Sequence, residues 1–346
     1  FSTWLSTAVT LLLAYLLTRW TIGFIDWAFL NAIWSVPVVN GQAQTAACRE
    51  IKGVGACWAV ITEKHRFILF GTYPYEEHWR PLVVCFLFVG LYIVSALRRF
   101  WNWQLIPIWL GTLTLIGVLM WGGILGMTYV PQERWGGLPI TLILSTFGLA
   151  FAFPLAVLVA LGRRSNLPAI RTVCILYIEL IRGVPLISVL FMASFMFPLF
   201  MPQGMTIDVL VRVLVGITLF AAAYMAEIVR GGLQAIPNGQ LEAADTLGLS
   251  YWQTQRKIVL PQALAMVVPS MMNNFISIFK DTSLVTIVSL YELTGALSLA
   301  LNSDVDWRPF KIEAYFFIAA IYFVVCFAMS RYSLWIEAQL GASRAR

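Results

Sequence analysis

Long runs of apolar residues alternate with short polar breaks along most of the chain. A helix rises 1.5 Å per residue, so crossing a hydrocarbon layer of roughly 30 Å needs about 20 mostly apolar residues. Runs near that length fall at residues 4–24, 82–97, 105–127, 138–161, 172–200, 209–229, 263–279 and 312–329, the fifth being broken near Pro185. They predict an all-α, polytopic membrane protein with about eight transmembrane helices. A ninth apolar stretch, 283–301, carries Glu292 and is ambiguous.

Composition agrees with that pattern. Of 346 residues 60% are hydrophobic and 12% charged, and the mean hydropathy is +0.81, well beyond the range of soluble domains. The net charge of +6 raises nucleic acid as a partner, but the basic residues are scattered between apolar runs with no basic stretch of five or more. Topology explains them better. With the polar stretch 237–262 placed inside, the inner loops hold eleven Lys and Arg, against Arg134, Arg308 and Lys311 in the short outer loops. A full crossing by 283–301 would put Arg331 and the basic tail outside, so a half-embedded or outer-face helix is expected there. The chain begins at Phe1 rather than Met, so a short N-terminal piece is expected to precede it.

The long hydrophilic segment, about 24–81, then lies outside. Its Cys48 and Cys57 are close enough in sequence to close a small loop, which an oxidising compartment such as a periplasm would favour; two free thiols remain the simpler alternative. His65 and His78 in the same region have no carboxylate or cysteine at ligand spacing, so no metal site is expected. Cys85, Cys174 and Cys326 lie in apolar runs and read as ordinary buried residues. Trp and Tyr near the span ends form an aromatic belt.

Residues 237–262, PNGQLEAADTLGLSYWQTQRKIVLPQ, are mostly polar and sit between two strongly apolar segments. Leu241, Ala244 and Leu247 share one helical face, and Gly248 reads as a left-handed helix stop. Ser250 to Gln253 reads as a capping box that opens a second helix. That helix is expected to end at Leu260, because the residue before a proline is pushed out of the α region, and Pro261 suits the first turn of the next. A helix of about eight residues is marginal alone in water, so its apolar face needs a partner surface.

Glu242-Ala243-Ala244, three residues, Gly248, nine residues, then Ile258-Val259-Leu260-Pro261 resembles the EAA signature of ABC importer permeases. The flanking AAYMAEIVRGGLQAIPNGQ, LPQAL, PSMMNNF and KDTSL are similar to the polar amino-acid uptake branch, and the extension in residues 1–130 resembles that of the general L-amino-acid permease membrane subunits. The resemblance implies a type I importer core of five transmembrane helices in residues 131–346, with an N-terminal three-helix extension in residues 1–130. It implies that Glu242, Ala243, Ala244, Gly248, Ile258 and Pro261 couple the chain to a cytoplasmic ATPase. Partners implied are a second, related permease chain in a heterodimer, two ATPase subunits holding ATP and Mg, and a periplasmic amino-acid-binding protein. Location in the bacterial inner membrane with a cytoplasmic C-terminus follows from the same resemblance and the charge bias.

A charge at the bilayer centre costs about 2.5–3.5 kcal/mol on the insertion scale, so each one that persists is a functional candidate. Glu179 and Arg182 share a helix face and can pair; the following Gly183-Val184-Pro185 breaks the helix, freeing backbone groups that can hold a ligand. ELIRGVPL is similar to the family's E-x-x-RG-x-PL motif, and Lys280-Asp281-Thr282-Ser283 interrupts two apolar runs at a second break. Lys280 or Arg182 can meet an amino acid's carboxylate, Asp281 or Glu179 its ammonium, and Asn273 and Asn274 add polar groups on the same span. These six residues are the candidate substrate pathway, the alternative being that they lock helix packing. Glu227 with Arg230 reads as a helix-end pair.

The sequence contains no G-x-x-x-x-G-K-[ST], so the chain is not expected to bind ATP, and no G-x-S-x-G, H-E-x-x-H or C-x-x-C, so it is not expected to be an enzyme. The alternative class is a stand-alone ion-coupled secondary transporter or channel, which would show two internal hydropathy repeats.

Overall fold

A computed structural model describes residues 3–39 and 42–344. In chain order the helices are α1 (Trp4–Ile25), α2 (Ala46–Glu50), α3 (Ala59–Phe70), α4 (Trp79–Ala96), α5 (Leu105–Trp121), α6 (Gly137–Arg163) and α7 (Pro168–Arg182). They continue with α8 (Leu186–Phe191), α9 (Val209–Gln234), α10 (Asn238–Thr246), α11 (Tyr251–Thr254), α12 (Leu260–Asp281), α13 (Leu293–Asn302) and α14 (Lys311–Arg344). Strands are confined, among the described residues, to a two-residue antiparallel pair, Val38–Val39 with Gln42–Ala43.

Among the described residues six helical stretches are long and apolar enough to cross a membrane: Trp4–Leu30, Tyr75–Ala96, Gly137–Arg163, Val209–Gln234, Tyr251–Val288 and Arg308–Gln339. A seventh is formed if the pair Pro168–Arg182 and Leu186–Phe200, bent by 104°, is taken as one span. Helix α5 is apolar but has only 17 residues. The ambiguous stretch becomes a tight 3-10 turn, Thr282–Val288, followed by α13. Ten residues rise only about 15 Å, half of the hydrocarbon layer.

The chain forms two compact units, Phe1–Ile68 with Leu297–Ala320, and Leu69–Ala296 with Ile321–Arg346. Helices α4 and α5, assigned from sequence to the N-terminal extension, cluster with the second unit.

The first unit is tied together by polar contacts and rings. Cys48 and Cys57 form a disulfide with Cα atoms 5.5 Å apart. Arg49 pairs with Asp306, and the Lys64 ammonium lies 2.6 Å from Asp304. Burial alone would raise the Asp304 carboxyl, but the bond from Lys64 and its charge hold it below its ordinary value. Trp27 sits within 6.1 Å of the rings of Phe24, Trp58 and Phe316, and Trp58 donates to the Ala28 carbonyl at 2.6 Å.

The second unit is built on α6 and α9, its most extensive helix pair. Gly148, Ala152, Ala156 and Ala160 recur every fourth residue on α6, and all are buried. Ala221, Ala222, Ala223 and Ala226 are buried on α9. Small residues let backbones approach closely where lipid tails remove any hydrophobic gain from association. A Cβ on Gly148 would meet Ile217 of α9 at 2.8 Å. Helix α9 also packs on α12, and there Gly232 is pressed against the Ala263 carbonyl, which a Cβ would meet at 2.6 Å. Adjacent Gly231 faces open space.

These two glycines give a matched test. Gly232→Ala should destabilise the fold by about 1–3 kcal/mol through overpacking, lowering the melting temperature of the detergent-solubilised protein by several degrees, while Gly231→Ala should leave it unchanged or slightly higher.

Candidate functional site

Helix α9 runs through a short turn at Ala235 to Pro237 into α10, and the polar elbow follows. Gly248 has φ +68°, the left-handed conformation expected of a stop. Its N–H donates to the Asp245 carbonyl at 3.0 Å and the Leu249 N–H to the Ala244 carbonyl at 3.2 Å, the two bonds of a Schellman closure. The second helix opens as expected: the Gln253 side chain accepts from the Ser250 N–H at 2.9 Å.

Two local expectations fail. Leu247 does not share the buried face of Ala244; it caps the helix end and is 75% exposed. The second helix does not stop at Leu260. It widens into a π turn over Gln255–Val259 and continues through Pro261 into α12. A wide turn shifts the carbonyls away from the proline, which has no N–H to offer and a ring that would clash in a regular α turn.

In this elbow Glu242, Ala243, Gly248 and Pro261 are exposed, Ile258 is half-buried and Ala244 is buried. Leu247, Tyr251 and Trp252 are exposed too, so an apolar tip surrounds the Gly248 turn.

Four charges from three helices come together near the end of α9 that leads into the elbow. Arg163 at the end of α6 reaches Glu179 of α7 at 3.2 Å and Glu227 of α9 at 3.0 Å. Arg230 bonds the other oxygen of Glu227, its Nε at 2.9 Å. The Glu227–Arg230 pair was legible from spacing, but Arg163 was counted only as a loop charge. The expected Glu179–Arg182 pair is not formed: Arg163 takes Glu179, and the Arg182 guanidinium lies over the Tyr224 ring, 5.5 Å from its centre.

The break after Arg182 occurs at Gly183 to Pro185, and Glu179 and Arg182 are exposed beside it. At the end of α12, Asn273 and Lys280 are exposed and Asn274 and Asp281 half-buried; Asn274 Oδ1 has no hydrogen-bond partner. Among the described residues no hydrogen bond or ion pair joins this second group to Glu179 or Arg182. Glu292, noted in the sequence only as an oddity, is fully buried. It accepts from the N–H groups of Thr294 and Gly295 and from the hydroxyls of Thr286 and Tyr322, at 2.9–3.1 Å.

A helical protein with several membrane-length spans, two helix breaks and an exposed polar elbow falls in the class of polytopic membrane proteins. Residues 152–341 match the family described as binding-protein-dependent transport system inner membrane component, and the chain belongs to that family. It is similar to the inner membrane amino-acid ABC transporter permease protein YhdY of Escherichia coli, 42% identical over 99% of this chain and 92% of that protein. It is also similar to BztC of Rhodobacter capsulatus, a glutamate/glutamine/aspartate/asparagine transport system permease, 35% identical over 98% and 92%. A crystal structure of an amino acid ABC transporter with histidines is similar over 59% of this chain and 92% of its own, with 32% identity and a TM-score of 0.52.

Removing Arg163 strips Glu179 of its partner and Glu227 of one of two. Arg163→Ala should therefore destabilise by about 1–3 kcal/mol, whereas Glu179→Ala, at a side chain 58% exposed, should change stability by less than about 1 kcal/mol. Thermal unfolding in detergent separates the two.

Proposed function

We propose that the chain is the membrane-spanning permease subunit of an ATP-driven importer that carries amino acids across the bacterial inner membrane. The observation that carries this reading is the elbow: a Schellman-closed turn presenting Leu247, Tyr251 and Trp252 to solvent, in a chain whose full-length relatives are amino-acid permeases. An exposed apolar tip on a polar turn is a docking feature, and in this reading the chain, which contains no phosphate-binding loop, draws the energy of ATP through a partner docked there.

In this reading two ATPase subunits hold ATP and Mg and grip the elbows of this chain and of a second, related permease. Their closure draws the elbows together and turns the cores outward; hydrolysis resets them. A periplasmic binding protein delivers the substrate. Glu242, Ala243, Ala244, Gly248, Ile258 and Pro261 form the coupling surface. Glu179, Arg182, Asn273, Asn274, Lys280 and Asp281 line the pathway, supported by their position at the two breaks and the open hydrogen-bonding capacity of Asn274.

Residues 1–130 are the added part and 131–346 the transport core. Support comes from the amino-acid permease PatM of Vibrio harveyi, which aligns over 91% of its own length but 60% of this chain. Counting the bent pair and α5 with the six long spans gives eight crossings, so the C-terminus returns to the cytoplasmic side of the elbow. The Cys48–Cys57 disulfide suits a periplasmic face.

Uptake by vesicles carrying the assembled transporter tests the coupling surface. Gly248→Val forces a β-branched residue into a left-handed conformation, and Glu242→Lys inverts a charge on the exposed face. Both should reduce uptake at least tenfold while the protein still inserts; normal uptake by both would refute the assignment. For the pathway, Lys280→Ala and Asp281→Ala should lower amino-acid transport while ATPase subunits still co-purify, and loss of the ATPases instead would assign these residues to packing.

A further inference from the structure

Among the described residues, two charges of opposite sign in the first unit have no ion-pair partner. Glu313, at the start of α14, is 6% exposed, yet its carboxylate receives only the Cys57 N–H at 3.1 Å. No lysine or arginine among the described residues pairs with it. The first turn of α14 favours a negative charge, but a buried carboxylate with one hydrogen-bond donor retains capacity for a cation. It lines a cavity of about 370 Å³ whose other walls include Phe24, Trp27, Phe310 and Phe316, with Lys52 also lining it. Aromatic walls around a carboxylate form a receptor for an organic ammonium, which gains both the ion pair and the ring faces.

Arg19 is the second charge. It sits within the span Trp4–Leu30, is exposed, and makes no hydrogen bond or ion pair among the described residues. An arginine at that depth without an anion is unfavourable by a few kcal/mol. It lines an adjoining recess with Trp20 and Gly23, and the two hollows share Phe24 and Trp27. Below Arg19, α1 is covered by exposed apolar side chains, including Leu12, Leu16 and Leu17, and none of its residues is buried.

The order of chemistry along α1 is thus an ammonium receptor at the helix end, a guanidinium deeper in, and then an apolar flank. An aminophospholipid has the same order: primary ammonium outermost, phosphate beneath it, acyl chains below. We propose that these two hollows bind one lipid whose headgroup carries a primary ammonium and a phosphate. The ammonium sits against Glu313 among the rings, the phosphate beside Arg19, and the chains lie along α1. The loop that lines the cavity is held by the Cys48–Cys57 disulfide, and Gly55 admits the Asn31 carbonyl where a Cβ would come within 1.8 Å of it.

The test is native mass spectrometry of the assembled transporter released from bilayers of equal parts phosphatidylethanolamine and phosphatidylglycerol. The expected result is one phosphatidylethanolamine retained per copy of this chain, at least tenfold over phosphatidylglycerol. Glu313→Gln should abolish that preference, and Arg19→Gln should reduce retention of the lipid. A measurement that needs no variant replaces phosphatidylethanolamine by its N-acetyl derivative, which keeps the phosphate but loses the ammonium, and should lower retention at least tenfold. Equal retention of the two headgroups by the unmodified protein, or of the N-acetylated lipid and its parent, overturns the proposal: Lys52 would then neutralise Glu313 from within the chain.

Discussion

The close approach of α6 and α9 is the constraint from which the second unit follows. In lipid an apolar side chain gains nothing by leaving the solvent, so two helices associate only if their surfaces fit closely enough to collect dispersion contacts. Gly148, Ala152, Ala156 and Ala160 supply that surface on α6 by presenting almost no side chain. With the backbones drawn together, the ends of the helices carry Arg163 to within 3.0 Å of Glu227, and the same guanidinium reaches Glu179 on α7. The ion cluster is a consequence of the seam. Helices held apart by leucines would leave Arg163 short of Glu227, and three helix ends would lose their common anchor.

Helix α9 has two close contacts, and the elbow hangs from it. One face meets α6; near its end Gly232 touches the backbone of α12 at Ala263. The elbow between them leaves from α9 and returns into α12 without a flexible linker, because the π turn at Gln255–Val259 keeps the chain helical through Pro261. The Gly248 turn is thereby joined through continuous helix to a pair of helices in backbone contact.

Much of this was legible in the chain. Hydropathy placed the long spans, since their lengths answer to a single dimension of the bilayer, and Gly248 announced its turn because few other residues tolerate φ +68°. Ser250 with Gln253 gave the cap by spacing alone. What escaped was whatever depends on neighbours distant in sequence. Nothing local to Glu179 tells that Arg163, sixteen residues earlier, will outcompete Arg182 at three. The four-residue recurrence from Gly148 to Ala160 was a readable signal of helix contact, hidden because the same residues also satisfy the hydropathy of a span. Pro261 misled for a different reason: the rule that proline ends a helix assumes a regular α turn before it, and a π turn removes the clash that the rule rests on.

The two helix breaks solve the same backbone problem by different means. After Arg182 the chain turns with local bonds, Gly183 N–H to the Glu179 carbonyl at 3.0 Å and Ser188 N–H to the Pro185 carbonyl at 3.0 Å, while the charged side chains stay outside. After Asp281 the chain coils through Thr282–Val288, passes Ser289 at φ +62°, and needs an acceptor for the free N–H groups that open α13. Glu292 supplies it, and because Gly295 has no Cβ the Thr286 hydroxyl can close on the same carboxylate. Freed backbone is tolerated at membrane depth only where the protein satisfies it internally, and Glu292 supplies that acceptor at this turn. A carboxylate already holding four donors has no capacity left for a ligand. Glu179, with one guanidinium partner and more than half of its side chain in the open, retains that capacity, and this separates the two acidic residues.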